Sequence, residues 1–365
     1  MKILSIETSC DETAISYLKT SEGKVFSLIA HEVASQIDVH KEWGGVVPML
    51  AKREHQINLP KMLEKIKPEN VDLIAVTYGP GLEPALWEGI IFAKKLSREW
   101  EVPLVATDHM HGHIVSAMLK PISKDQFAIC KINFPAIALL ISGGHTQIVL
   151  MRALDEFEVV GQTRDDAVGE AFDKVARMMG LPYPGGPEIG KLAAKYQAVE
   201  LLLSSSTAKF KLPRPMLHSK DLDFSFSGLK TAVLYLIKKI KEENKREELT
   251  EEEKIVIAYE FEQAVTEVLI KKTLVAIEQY QAKSLLVGGG VIASTVIREA
   301  LTTLSRSETA KFNLYLPDRK FTGDNATMIG IAGYLRSQGG TKNLLLPGSP
   351  AFDALRATGN LCLYK

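Results

Sequence analysis

The chain has 365 residues and is 46% hydrophobic, so it can bury a large core, and its length points to two domains. Lys plus Arg and Asp plus Glu number 44 each, which excludes a global positive field for gripping nucleic acid and leaves RNA contact to local patches or partners. Three scattered cysteines, Cys10, Cys130 and Cys362, exclude a disulfide framework or a thiolate metal cage and point to a reducing cytoplasm; no apolar run approaches a membrane span, so a soluble protein is expected.

In chain order, a strand over residues 2–6 runs into the polar turn Glu7-Thr8-Ser9-Cys10-Asp11-Glu12-Thr13. A strand at 73–76 and a helix over 87–101 follow. Strands at 136–141 and 147–151 flank the turn Ser142-Gly143-Gly144-His145. Helical spacing then returns at 166–179 and at 250–279, where acidic residues crowd the first turn. A strand at 284–287 ends in Gly288-Gly289-Gly290. The alternation argues an α/β protein. Residues 204–223, polar and proline-marked, read as a loop or insertion, and 238–253 as a solvated charge run; no repeat of 20 to 50 residues is present.

The three strand-end turns after residues 6, 141 and 287 share one property. Glycine or small polar residues there let backbone N–H groups approach a phosphate, although a tight turn explains each one equally well. The run Gly185-Gly186-Pro187-Glu188-Ile189-Gly190-Lys191-Leu192 nearly spells a P-loop. It fails because Leu192 cannot ligate magnesium, Pro187 removes an N–H, and the preceding segment is helical. Gly79-Pro80-Gly81 likewise lacks the third glycine of a dinucleotide turn, since Pro84 stands there.

Thr107 or Asp108 is placed to cap a helix on which His109 and His113 lie one turn apart on one face, the spacing at which two imidazoles share an ion. Met110 stands where a zinc protease has its glutamate, which removes the general base of that chemistry. Asp324 in Thr322-Gly323-Asp324-Asn325-Ala326 is the candidate third ligand, with a helix N-cap as its alternative role. Two histidines and one aspartate would leave positions open for substrate.

These segments jointly resemble the bacterial TsaD family of tRNA N6-adenosine threonylcarbamoyltransferases, within the actin-like (ASKHA) superfamily. The resemblance rests on the motifs above, on Gly44-Gly45-Val46-Val47-Pro48, Tyr78-Gly79-Pro80-Gly81-Leu82 and Asp165-Asp166-Ala167-Val168-Gly169-Glu170, and on Tyr183-Pro184-Gly185-Gly186-Pro187 and Phe224-Ser225-Phe226-Ser227-Gly228. It implies a two-lobed fold: residues 1–105 with 318–365 as one lobe, 106–317 as the other with an insertion near 204–223, and a substrate cleft between them. It also implies transfer of the threonylcarbamoyl group from threonylcarbamoyl-AMP to N6 of adenosine 37 in tRNAs that read codons beginning with A, releasing AMP.

By position, the resemblance assigns a divalent ion, Fe(2+) ahead of Zn(2+), to His109, His113 and Asp324. The adenylate falls to Leu140, Ile141, Ser142, Gly143, Gly144, Asp173, Gly186 and Ser294, and the essential acidic pair to Asp11 and Glu12. A paralogous actin-like subunit and a small ATPase are the implied partners, with Lys94, Lys95, Lys209, Lys211 and Arg214 as candidates for an RNA path. The chain departs from the family pattern at Ser294 (usually Asn), Gly190 (often polar), Met49 and His111 (each usually Glu). The competing readings are an actin-like small-molecule kinase and a non-catalytic nucleotide-switched subunit.

Overall fold

A computed structural model describes residues 1–21, 25–200, 210–308, 310–361 and 363. Cys362, Lys209 and the 204–209 part of the expected insertion lie outside the described residues. The first half runs β1 (Lys2–Glu7), β2 (Glu12–Ser21), β3 (Val25–Ser35), α1 (Ile37–Lys41), α2 (Pro48–Ile66), β4 (Leu73–Gly79), α3 (Glu83–Trp100), β5 (Leu104–Asp108), α4 (His109–Met118), β6 (Leu119–Ser123) and β7 (Gln126–Ile129). Its sheet has the order β5-β4-β1-β2-β3-β7-β6, with β1, β4 and β5 parallel and the β1-β2-β3 meander antiparallel.

The second half runs β8 (Ala136–Ile141), β9 (Thr146–Ala153), β10 (Glu156–Gln162), α5 (Val168–Met178), α6 (Gly185–Ala193), α7 (Tyr196–Glu200), α8 (Ser227–Glu243), α9 (Glu251–Gln279), β11 (Ser284–Gly288), α10 (Thr295–Ser305), β12 (Asn313–Tyr315), α11 (Ala326–Ser337) and α12 (Pro350–Ala354). Its sheet has the order β10-β9-β8-β11-β12. Here too a three-stranded antiparallel meander is extended by two parallel strands, so the two sheets repeat one plan: β1 corresponds to β8, and the turn at residues 8–11 to the turn at 142–145.

Packing follows from that duplication. Sheet one buries one face under α2 and α3, through Leu4, Ile6, Leu59, Ile74, Leu86 and Ile90, and the other under α11, through Ile3, Leu18, Val105, Met328 and Ile331. Sheet two buries one face under α5, α6, α8, α9 and α10 and the other under α4, through Met110, Ile114, Ala138, Leu140 and Leu286. Helices α4 and α11 therefore lie between the two sheets and pack on each other. Every residue of α4 is buried, which explains its apolar composition.

The observed elements refine the expectations. The helix expected from residue 87 begins at Glu83, because Pro84 is tolerated in a first turn. The charge run at 238–253 is only partly solvated: α8 continues to Glu243, and Glu253 is buried, closing a capping box with Thr250 and pairing with Arg246. Among the described residues no helix is long and apolar enough to cross a membrane.

Candidate active site and metal centre

β5 delivers the chain to the space between the sheets and ends at Asp108, which turns it into α4. The Asp108 carboxylate accepts from the N–H groups of Met110 (2.7 Å) and His111 (3.0 Å), so Asp108 rather than Thr107 is the N-cap. One helical turn then stacks the rings of His109 and His113 edge to face, with centroids 4.6 Å apart. His111 points away and packs against Phe157.

The third group arrives with α11. Asn325 caps that helix by accepting from the N–H of Met328 at 3.0 Å, which leaves Asp324 uncommitted to the cap. Asp324 Oδ1 lies 3.4 Å from His109 Nε2 and 3.3 Å from His113 Nε2. Two ligands that each stand about 2.1 Å from a tetrahedral ion are about 3.4 Å apart, so these atoms have the spacing of a shared ion. Among the described residues neither ring nitrogen of buried His113 makes a well-aligned hydrogen bond, Nε2 having the Asp324 oxygen beside it, a costly state that an ion on Nε2 would relieve in part. The Asp324 side chain is 20% exposed, and the site opens on that side. Among the described residues His109, His113 and Asp324 form the group of donor side chains close enough to hold a single metal ion.

A carboxylate that sequence reasoning left unassigned supports this centre. Glu7, fully buried at the end of β1, faces His109 Nδ1 at 3.0 Å; its oxygens also accept from the N–H of Ser9 (2.5 Å) and the hydroxyl of Thr77 (2.6 Å). A carboxylate on the far nitrogen of a ligating imidazole fixes the ring and its tautomer. The available signal was a lone acid closing an otherwise apolar strand. Burial works against the protonated form of His109, but Asp324 and Glu7 together hold its pKa well above the usual histidine value. Burial also opposes the charge on Asp324, and the two histidines hold its carboxyl far below the ordinary range.

Asp11 closes the β1–β2 turn and Glu12 opens β2 beside this group. Burial, reinforced by Asp324 and by a hydrogen-bonded Asp11, pushes Glu12 up to about 10. Across the site, the β8–β9 turn brings His145, whose pKa burial and the neighbouring His109 and His113 depress to about 4, so it is neutral at physiological pH.

The expected adenylate residues fall on three elements around that turn. Leu140 and Ile141 end β8 with buried side chains, so only their backbone is on offer, whereas Gly143 and Gly144 are exposed with open space above them. Asp173 on α5 accepts from the Gly185 N–H at 2.7 Å and ties the start of α6, with open Gly186, to this corner. Gly289 takes φ +98°, which lets its backbone pass against the Ile141 carbonyl, and Ser294 follows, capping α10 through the Ile297 N–H and donating to Glu262 Oε1 at 2.9 Å. Gly44, Asp173, Arg177 and Tyr183 line an adjoining cavity of about 490 Å³.

Two of the cations offered for RNA contact are otherwise engaged. Arg214 is half-buried between Glu260 and Glu267, and Lys94 donates to the carbonyls of Asp353 and Leu355. Lys95 pairs with Glu99 one turn along the exposed face of α3.

Known proteins share this plan. The family model described as TsaD, tRNA N6-adenosine threonylcarbamoyltransferase, matches residues 27–331. A relative of that name from Thermosipho africanus is 44% identical over 340 residues, 92% of this chain and 94% of the relative. One from Chromobacterium violaceum is 42% identical over 92% of this chain and 93% of the relative, and one from Thermosipho melanesiensis 42% identical over 96% and 99%. Among solved structures, full-length HypF in its phosphate- and nucleotide-bound form superposes with a TM-score of 0.55 at 13% identity, covering 92% of this chain and 46% of that one, a likeness of fold alone. The duplicated sheets and that likeness make the fold two-lobed and actin-like. With a family model matching most of its length and relatives at 42–44% identity, the chain belongs to the TsaD family of tRNA N6-adenosine threonylcarbamoyltransferases.

Proposed function

We propose that this chain transfers a threonylcarbamoyl group from threonylcarbamoyl-AMP to N6 of adenosine 37 in tRNAs that read codons beginning with A. The observation that carries the reading is the convergence of His109, His113 and Asp324 beside the Ser142–His145 turn, at the seam between the two sheets. Family membership favours this over a small-molecule kinase or a non-catalytic switch.

In the reaction the N6 nitrogen forms a bond to the carbamoyl carbon while the bond from that carbon to the phosphate oxygen breaks. AMP leaves with the electron pair and N6 gives up a proton. Asp11 is the group proposed to accept it, oriented by a hydrogen bond from a protonated Glu12. The backbone after Leu140 and Ile141, at Ser142, Gly143 and Gly144, is proposed to cradle the phosphate, with Asp173, Gly186 and Ser294 lining the nucleoside end. An ion on His109, His113 and Asp324 would supply Lewis-acid polarisation of a substrate oxygen. Two imidazoles and one carboxylate suit Fe(2+), with Zn(2+) the second choice.

The lobes proposed are residues 1–105 with 318–365 and residues 106–317, with strands β6 and β7 paired onto the first sheet. The balanced net charge and the internal engagement of Arg214 and Lys94 support shared RNA binding with partners, for which a paralogous actin-like subunit and a small ATPase are proposed, in the cytoplasm. The test supplies the chain, those partners, the adenylate and unmodified tRNA, then digests the tRNA and measures N6-threonylcarbamoyladenosine by mass. Absence of that nucleoside, where a complete related system makes it, sinks the reading.

A further inference from the structure

Glu262 is buried on α9, 2% exposed, yet its carboxylate has one hydrogen-bond partner among the described residues, the Ser294 hydroxyl on Oε1. No cation pairs with it there, and only burial and Ser294 act on its proton affinity, burial raising it and Ser294 drawing it back. A carboxylate offers about four acceptor positions, and the second oxygen of Glu262, with no partner among the described residues, keeps its positions available to a ligand.

The surroundings point to that ligand. Gly186 and Gly190 are one turn apart on a single face of α6. A Cβ on Gly186 would meet nothing within 4 Å, and one on Gly190 would meet only Glu262 Oε1, at 3.9 Å. The two glycines thus leave an open strip of helix whose wall is the Glu262 carboxylate. Ser294, the residue at which the chain departs from its family's usual Asn, orients that wall.

We propose that Glu262 is the ribose-recognising carboxylate of this chain's nucleotide pocket, accepting hydroxyl hydrogens from the 2′,3′-diol of an adenylate that lies over Gly186 and Gly190. The proposal rests on the adenylate reading above. It assigns the pocket a residue that substitutes for the polar side chain missing at Gly190, by moving the polar contact from α6 to α9.

Calorimetry on the purified chain with AMP, 2′-deoxy-AMP, 3′-deoxy-AMP and IMP tests it. Wild type should bind AMP about tenfold more tightly than either deoxynucleotide, the scale of a hydrogen bond to a charged group. Glu262→Gln, which keeps the volume and the partner of Ser294, should bind AMP and both deoxynucleotides alike at the wild-type deoxynucleotide affinity. Gly190→Leu, which fills the strip, should lose AMP binding while the thermal midpoint holds. The proposal is overturned if Glu262→Gln keeps the wild-type preference for AMP over the deoxynucleotides, or if wild type discriminates only against IMP. Should wild type bind AMP with Glu262→Gln unchanged, the adenylate reading stands without it. Should wild type bind none of the four nucleotides, both fall.

Discussion

Gly288, the last residue of β11, lies so close to α4 that a Cβ built on it would stand 2.6 Å from the backbone carbonyl oxygen of His113. The obstacle is backbone, which cannot swing aside, so the absence of a side chain at 288 sets how deeply the metal-ligand helix seats against sheet two. Gly288→Ala should push α4 outward, lowering stability by about 1–3 kcal/mol and reducing metal content. Chemical unfolding and elemental analysis read the two effects; an unchanged midpoint with full metal would show that the contact is slack.

Double replacement of His109 and His113 by Ala should abolish binding of the divalent ion, since it leaves Asp324 alone at the site. Glu7→Gln leaves all three ligands in place and removes the charge behind His109, together with one of the two acceptor oxygens shared among His109, Ser9 and Thr77. It should weaken metal affinity by about 10–100-fold, as loss of an outer carboxylate partner does elsewhere. Competition with a chelator measures both. Metal retained in the double variant would mean that the ion sits elsewhere.

The strands that the sequence announced were those bounded by turn residues and rich in branched apolar side chains, such as Ala136–Ile141 and Ser284–Gly288. β2 stayed hidden because it is buried on both faces, under α2 and α11, and so carries no alternation from Thr13 to Leu18. The histidine pair was legible from spacing along one helix. Its pairing with Asp324 was harder to read, because that depends on α11 returning from the end of the chain to lie between two sheets. Glu7 gave only the signal of an acid closing an apolar strand, and Glu262 gave none among the other acids of its helix, because the partner of each is on a different element.

Ser294→Asn should tighten binding of AMP or a stable adenylate analogue by about 0.5–1.5 kcal/mol, the worth of one added amide contact. Asn is as good an N-cap as Ser, so α10 should lose nothing. Calorimetry decides; weaker binding would mean that the Ser294–Glu262 pair, rather than a vacant contact, governs this corner.

Asp166 is held between Lys174 and Lys230, each 2.7 Å away, and fastens α5 to α8. Burial raises its pKa, but hydrogen bonds and charge from both lysines outweigh it and leave the carboxyl below its ordinary value. A depressed folded pKa gives stability that is present above the unfolded value of about 3.9 and lost as pH falls through the folded one. Asp166→Asn should therefore cost about 1–3 kcal/mol at pH 7, and the gap from wild type should close below about pH 4. Urea unfolding at several pH values tests the sign; a gap that stays constant into acid would show that the contact acts through packing.

Asp11 and Glu12 make opposite predictions, because burial favours the protonated form of Glu12, whereas Asp11 is the group proposed to accept the N6 proton. Burial, with Asp324 and Asp11 beside it, pushes Glu12 up to about 10 in the ion-free site, which favours its protonated form. Gln copies a protonated glutamate in shape and in having a donor, and Glu12→Gln should retain activity within about tenfold of wild type. Asp11→Asn removes the carboxylate proposed to accept the N6 proton and should lower the turnover number by about 10²–10⁴-fold, the range of a general base. Metal content separates catalysis from site collapse, since both variants leave His109, His113 and Asp324 untouched. Single-turnover formation of N6-threonylcarbamoyladenosine, with metal measured on the same samples, is the deciding experiment. If Glu12→Gln is the more damaging change while metal stays bound, the roles of the two acids are reversed and Glu12 is the base.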